Sequence, residues 1–121
     1  MTHHAQVVDA TPEQVDAWLK AGEILLIDVR EANEYAFERI HGALLYPLST
    51  FDARTLPTDG RRLVLQCAGG RRSLTAAHKL QAAGHHEVTH LAGGLQAWKD
   101  SGLPLIRIDP QTGRVIDDGR R

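Results

Sequence analysis

The stretch Leu63-Val64-Leu65-Gln66-Cys67-Ala68-Gly69-Gly70-Arg71-Arg72-Ser73 decides how the chain reads. An apolar run of strand length ends at the only cysteine of the chain, and glycines and arginines follow it. Helical spacing then resumes at Leu74, Ala77, Leu80 and Ala83 and stops at Gly84, so the segment reads as strand, loop and helix with Cys67 at the carboxyl end of the strand. Each part of that arrangement favours negative charge on sulfur. The strand delivers the thiol to the edge of a sheet, the glycines let consecutive backbone N–H groups turn toward it, and a helix begins beneath it.

A free thiol with a pKa near 8.5 is only about 3% thiolate at pH 7, and lowering that pKa by about two units takes roughly 2.7 kcal/mol of differential stabilisation. A ring of amides, a helix N-terminus and two guanidinium groups are of the right kind to supply it. The alternative for a lone cysteine is a small buried hydrophobe. Nothing about a packed core calls for Gly69-Gly70-Arg71-Arg72 immediately afterwards, which favours a reactive site.

Outward from this segment, apolar runs of strand length alternate with helical patterns, the signature of an α/β domain with a mostly parallel sheet. Thr11-Pro12-Glu13-Gln14 supplies a helix cap, a first-turn proline and a capping glutamine, with Val15, Trp18 and Leu19 at helical spacing and Gly22 at the end. Ile24 to Val29 reads as a buried strand with Asp28 and Arg30 at its end, followed by a short acidic helix from Glu31 to about Phe37. Ala43 to Tyr46 reads as a short strand, Ser49 to Arg54 as one or two helical turns, and Leu56 to Gly60 as a turn. Val88-Thr89-His90-Leu91 reads as another strand, and Gly93-Gly94 leads into a last helix with Leu95 and Trp98 on one face. In open α/β sheets ligands collect beyond the carboxyl ends of the strands. Asp28, Cys67 and Gly93-Gly94 all fall there.

At 121 residues the chain is sized for one domain, and 14 basic against 15 acidic residues give no global bias toward nucleic acid or a membrane surface. No apolar run approaches the length of a membrane span, and Met1-Thr2-His3-His4 does not begin a signal peptide, so the expected location is cytoplasmic. One cysteine permits no internal disulfide and no CxxC pair, so any sulfur chemistry passes through an external thiol or another acceptor.

Three ordered motifs, from about Val7 to Leu105, resemble the rhodanese family of sulfurtransferases. Ile27-Asp28-Val29-Arg30-Glu31 with Glu34-Tyr35 is similar to the first family signature, Cys67 to Ser73 to the active-site loop, and Leu91-Ala92-Gly93-Gly94 with Trp98 to the closing signature. The resemblance implies a rhodanese-like α/β fold, a central parallel sheet of about five strands with helices on both faces, over residues 1–105. Residues 106–121 then form a tail: Ile106-Arg107-Ile108 and Arg114-Val115-Ile116 flank a turn and suit a hairpin, while the ending from Asp117 reads as mobile. Where the family usually has Gly-His-Ile-Pro-Gly-Ala, this chain has Glu38-Arg39-Ile40-His41-Gly42-Ala43. Arg39 and His41 are expected in a solvated loop, with tuning of the pocket charge as the alternative.

The resemblance also implies a reaction. The Cys67 thiolate attacks the outer sulfur of thiosulfate or a persulfide, and the resulting Cys67 persulfide passes its terminal sulfur to cyanide or a thiol, small or on a protein. No cofactor, metal, nucleic acid or membrane is implied. Ala68, Gly69, Gly70, Arg71 and Arg72 would turn their N–H groups toward the terminal sulfur, and at least one of the two arginines would draw an anionic donor. Ser73 is expected to cap the following helix and fix the loop, and Asp28 and Arg30 to support the loop from behind or simply to pair at the strand end. No general base is evident or required. Trp98 reads as core, and His3, His4, His85, His86 and His90 read as surface histidines rather than metal ligands. The loop of six residues from Cys67 to Arg72 matches sulfurtransferases, whereas related phosphatases carry one more residue. A phosphatase or arsenate reductase and a non-catalytic binding module are the competing classes.

Overall fold

The computed structural model describes residues 6–57 and 60–118. Its centre is a five-stranded sheet in the order β1 (Gln6–Ala10), β6 (Glu87–Leu91), β5 (Arg62–Gln66), β2 (Ile24–Asp28), β4 (Leu44–Leu45), with every neighbouring pair parallel. This is the rhodanese-like α/β architecture that the three motifs imply. β5 lies in the middle, with Gln66 opposite Asp28 of β2 and Leu65 opposite His90 of β6.

Both faces of the sheet are covered, which is why its strands read as near-continuous apolar runs. On one face α1 (Pro12–Lys20) and α4 (Gly94–Asp100) bring Val15, Leu95 and Trp98 onto Leu26, Val64 and Leu91. On the other, α3 (Arg71–Ala82) and a short 3-10 segment bring Ala76, Ala77, Leu80 and Ala53 onto Ile27, Leu65 and Val88. The expected cap of α1 is present: Gln14 N–H donates to Thr11 Oγ1 at 3.2 Å and Thr11 N–H donates to Gln14 Oε1 at 2.9 Å. The expected turns near Ser49 are two 3-10 segments, Leu48–Thr50 and Ala53–Thr55.

β1 has no counterpart in the sequence reading. Its burial is uneven, with Gln6 and Asp9 exposed, Val7 and Val8 half-buried and Ala10 buried, and it is a strand because each of its five residues pairs with β6. After β2, the short α2 (Ala32–Phe37) leads directly into β3 (Glu38–Arg39). β3 pairs antiparallel with β7 (Ile106–Ile108), and β7 pairs with β8 (Val115–Asp117) in a hairpin.

This second sheet uses the segment that departs from the family pattern. Arg39 lies in β3, its guanidinium 5.2 Å from the centre of the Tyr35 ring, and His41 Nδ1 is 2.8 Å from Asp117 Oδ2. Arg39 thus meets the C-terminal hairpin through its backbone, opposite Ile106, and His41 through its side chain. Asp118 N–H donates to Leu105 O at 2.8 Å and its carboxylate accepts from Arg107 Nε at 2.8 Å. The remainder of the ending read as mobile, 119–121, lies outside the described residues, as do His3 and His4. Among the described residues, no helix is long and apolar enough to cross a membrane.

Candidate active site

β5 ends at Gln66, and the next residue, Cys67, is 1% exposed. Its Sγ accepts hydrogen bonds from the N–H of Gly70 at 3.0 Å and of Ser73 at 3.3 Å, and lies 3.6 Å from Ser73 Oγ. Burial pushes the thiol pKa up, but the Ser73 N–H, the Ser73 hydroxyl and the N–H groups of Gly70 and Gly69 outweigh it and hold the thiol below its ordinary value. The sulfur thus occupies the position an anion takes at a helix N-terminus: the first N–H groups of α3 have no partner within the helix, and one of them, that of Ser73, is spent on sulfur.

The loop is held by backbone from elsewhere in the sheet. Leu95 N–H donates to Cys67 O at 2.7 Å and Gln96 N–H to Ala68 O at 3.0 Å, so the start of α4 clamps the start of the cysteine loop. This accounts for Gly94 in the closing signature: a Cβ there would stand 2.4 Å from Cys67 O and 2.8 Å from Ala68 C. Gly70 adopts φ +104° as the residue preceding α3, a conformation that suits glycine and turns its N–H onto Sγ.

The residues expected to surround Cys67 divide into four groups. Gly69, Gly70 and Ser73 act on the sulfur directly. Arg72 is tied to Glu34 of α2 by two hydrogen bonds of 2.7 and 2.9 Å. That pair lowers the Glu34 carboxyl to about 2 and raises the guanidinium pKa, which the Cys67 charge raises further. Arg71, at the first position of α3, is exposed. Ala68 instead lines an open cleft of about 200 Å³ beside Arg30, Glu34, Phe37, Gln96 and Lys99, which offers a route to the loop.

Asp28 and Arg30 form a buried ion pair through three contacts of 2.8 to 3.2 Å, and Arg30 Nη2 donates to Glu38 O at 2.7 Å. The pair fastens the end of β2 to β3 and, through Arg30 Nη1 and Glu34 O, to α2, which carries the partner of Arg72. Its reach to the cysteine loop is therefore indirect.

Two readings of single residues need correction. Ser73 is not the cap of α3: Gly70 precedes the helix, and Ser73 is its third residue, with Oγ 3.1 Å from Gly70 O and 2.9 Å from His90 Nδ1. His90 is not a surface histidine. It is 6% exposed, on the α3 side of β6, and its Nε2 lies 2.8 Å from Asp9 Oδ1. A strand buried on both faces must bury its central side chains whatever their polarity, and that was the available signal for His90. Asp9 gave none, because it becomes a neighbour only through the β1 to β6 pairing. His85 is half-buried and His86 is exposed.

Fold and site together define a class, that of α/β domains with an anion-stabilising cysteine loop at the end of a central parallel strand. Within it, the chain belongs to the rhodanese-like family, whose domain model matches residues 11–101. It is 37% identical over 101 residues to an uncharacterised protein of Synechocystis, covering 83% of this chain and 56% of that one, so it spans little more than half of that relative's length. A sulfurtransferase of Allochromatium vinosum is 36% identical over 86 residues, covering 69% of this chain and 79% of the relative. The crystal structure of a thiosulfate sulfurtransferase from Pseudomonas aeruginosa superposes with a TM-score of 0.74 at 27% identity, over 89% of this chain and 21% of that one. The relatives extend to other reactions: a tRNA uridine(34) hydroxylase of Xanthomonas oryzae is 32% identical over 98 residues, 70% of this chain and 39% of that protein.

Proposed function

We propose that this protein is a sulfurtransferase that carries sulfane sulfur as a persulfide on Cys67, taking it from thiosulfate or a persulfide donor and passing it to cyanide, a small thiol or a protein thiol. The observation that carries this reading is the convergence of the Gly70 and Ser73 N–H groups on Sγ, at 3.0 and 3.3 Å, in a site that lowers the thiol pKa. A thiolate at neutral pH is the required nucleophile. It attacks the outer sulfur of the donor, the bond from that sulfur to the rest of the donor breaks, and sulfite or a thiolate leaves with the electron pair. The acceptor then attacks the terminal sulfur and regenerates the Cys67 thiolate. With no second cysteine to resolve the persulfide, the acceptor comes from outside the chain.

Within the loop, Gly69, Gly70 and Ser73 stabilise the attacking sulfur. Ala68, Arg71 and Arg72 complete the contact with the donor, and Asp28 and Arg30 support the frame. Arg72 is engaged by Glu34, so Arg71 is the guanidinium better placed to meet an incoming anion. A loop of six residues from Cys67 to Arg72 suits a single terminal sulfur better than a phosphate group. The expected result in solution is thiocyanate formation from thiosulfate and cyanide with double-displacement kinetics, abolished in Cys67→Ser. Cys67-dependent hydrolysis of an aryl phosphate, with no sulfur transfer from thiosulfate or glutathione persulfide, would assign the site to phosphoryl chemistry instead.

A further inference from the structure

Behind Cys67 runs a chain of polar groups of which the sulfur-transfer reading uses only the first, Ser73. Cys67 Sγ lies 3.6 Å from Ser73 Oγ, Ser73 Oγ 2.9 Å from His90 Nδ1, and His90 Nε2 2.8 Å from Asp9 Oδ1. The chain draws on the loop after β5 and on α3, β6 and β1, which no local sequence motif would assemble. We infer that Ser73, His90 and Asp9 form a proton relay that removes the thiol proton of Cys67, with His90 as the terminal acceptor. The inference rests on Cys67 being the nucleophile.

The direction of each hydrogen bond follows from elementary chemistry. An ionised Asp9 carboxylate only accepts, so His90 Nε2 carries a proton and, in the neutral ring, Nδ1 is a bare acceptor. The Ser73 hydroxyl has two acceptors within reach, Gly70 O at 3.1 Å and this lone pair at 2.9 Å; turned to the nearer, it donates to Nδ1 and leaves its oxygen free to accept from the Cys67 S–H. In the resting state every proton therefore points from sulfur toward His90. Ionisation is then a double shift: the S–H bond breaks and leaves its electron pair on sulfur, the proton joins Ser73 Oγ, and the original hydroxyl proton passes to His90 Nδ1. The imidazolium is paired with Asp9, and the Ser73 hydroxyl now donates to the thiolate. No proton leaves the site, and both end states have their hydrogen bonds satisfied.

The groups facing His90 are Asp9 from β1, Ser73 from α3 and, through Ser73, Cys67 beyond β5. α4 packs on the opposite face of the sheet, and Arg72, the neighbour of Ser73 in the chain, pairs with Glu34. His90 never touches the donor, so it acts as a positioning residue for the proton.

The single cysteine makes the experiment direct, because thiolate absorbance near 240 nm reports Cys67 alone once the Cys67→Ser signal is subtracted. Titration of the full chain should show that His90→Gln raises the midpoint by about one unit, a tenfold loss of thiolate at neutral pH, and that Asp9→Asn shifts it in the same direction by less. Ser73→Ala and Ser73→Ala/His90→Gln should share one midpoint, since the serine carries the coupling. A purely structural role for His90 would lower the melting temperature and leave the midpoint in place. Superposable titrations of wild type and His90→Gln would overturn the relay, as would full additivity in the double variant. If His90→Gln does not fold, Asp9→Asn, which alters a largely exposed carboxylate, decides the same question. The titration needs no sulfur donor, so a shifted midpoint without sulfur transfer would contradict the proposed function and uphold the relay.

Discussion

Cys67 is buried, and a buried thiol in apolar surroundings is ordinarily inert. Acting against burial are N–H groups with no helical partner, above all that of Ser73 at 3.3 Å, which hold the thiol pKa below its ordinary value. The same economy of partners sets the acid behaviour of Glu34. Arg72 bonds hold its carboxyl at about 2 instead of 4.5, so its contribution to folding is complete above about pH 4.5 and is lost as the pH falls toward 2. Urea midpoints measured across that window should decline more steeply for wild type than for Glu34→Gln, and parallel profiles would contradict the assignment. At this scale the placing of Cys67 at the strand end and of Gly70 beside it was legible, because residue type and spacing carry it, whereas the tie of Arg72 to Glu34 was not, since 38 residues separate the two. Ser73 and His90 were misread for a physical reason. A serine near a helix start resembles a cap until the left-handed Gly70 is seen to take that position, and a histidine among apolar strand residues shows its partners only once β1 and α3 are placed.

The elements that make the site are the strand-loop-helix unit β5 to α3 and the start of α4 that clamps it. β5 was legible because three consecutive apolar residues, Leu63 to Leu65, are buried on alternating faces. β1 was not, since its burial is uneven and its strand character comes from pairing with β6. The clamp gives a sharp prediction. In Gly94→Ala the new Cβ meets Cys67 O at 2.4 Å, so the loop or α4 must move, and sulfur transfer should fall at least about tenfold with roughly 2 kcal/mol or more of lost stability. Gly102→Ala is the control: φ is +72° with open space around it, so strain of about 1–2 kcal/mol should appear in urea unfolding while transfer is retained. Equal effects on transfer would show that the clamp is immaterial.

The whole molecule is a central parallel sheet, covered on both faces, with a small antiparallel sheet of β3, β7 and β8 beside it. Leu63, Val64 and Leu65 are buried, whereas β7 and β8 carry exposed Arg107 and Val115. Amide hydrogen exchange should therefore open the hairpin well before β5, and equal protection of the two sheets would show that they unfold as one unit. The alternation of strands and helices was legible from periodicity. The joining of β3 to β7 was not, because two-residue and three-residue strands leave no pattern and are fixed by tertiary contact.

The central claim is that Cys67 holds a transferable sulfur, and intact mass measurement tests it most directly. After incubation with thiosulfate or glutathione persulfide the chain should gain one sulfur atom, about 32 Da, lose it on addition of cyanide, and show no gain in Cys67→Ser. A wild-type mass unchanged by either donor, or a gain that persists in Cys67→Ser, would contradict the account.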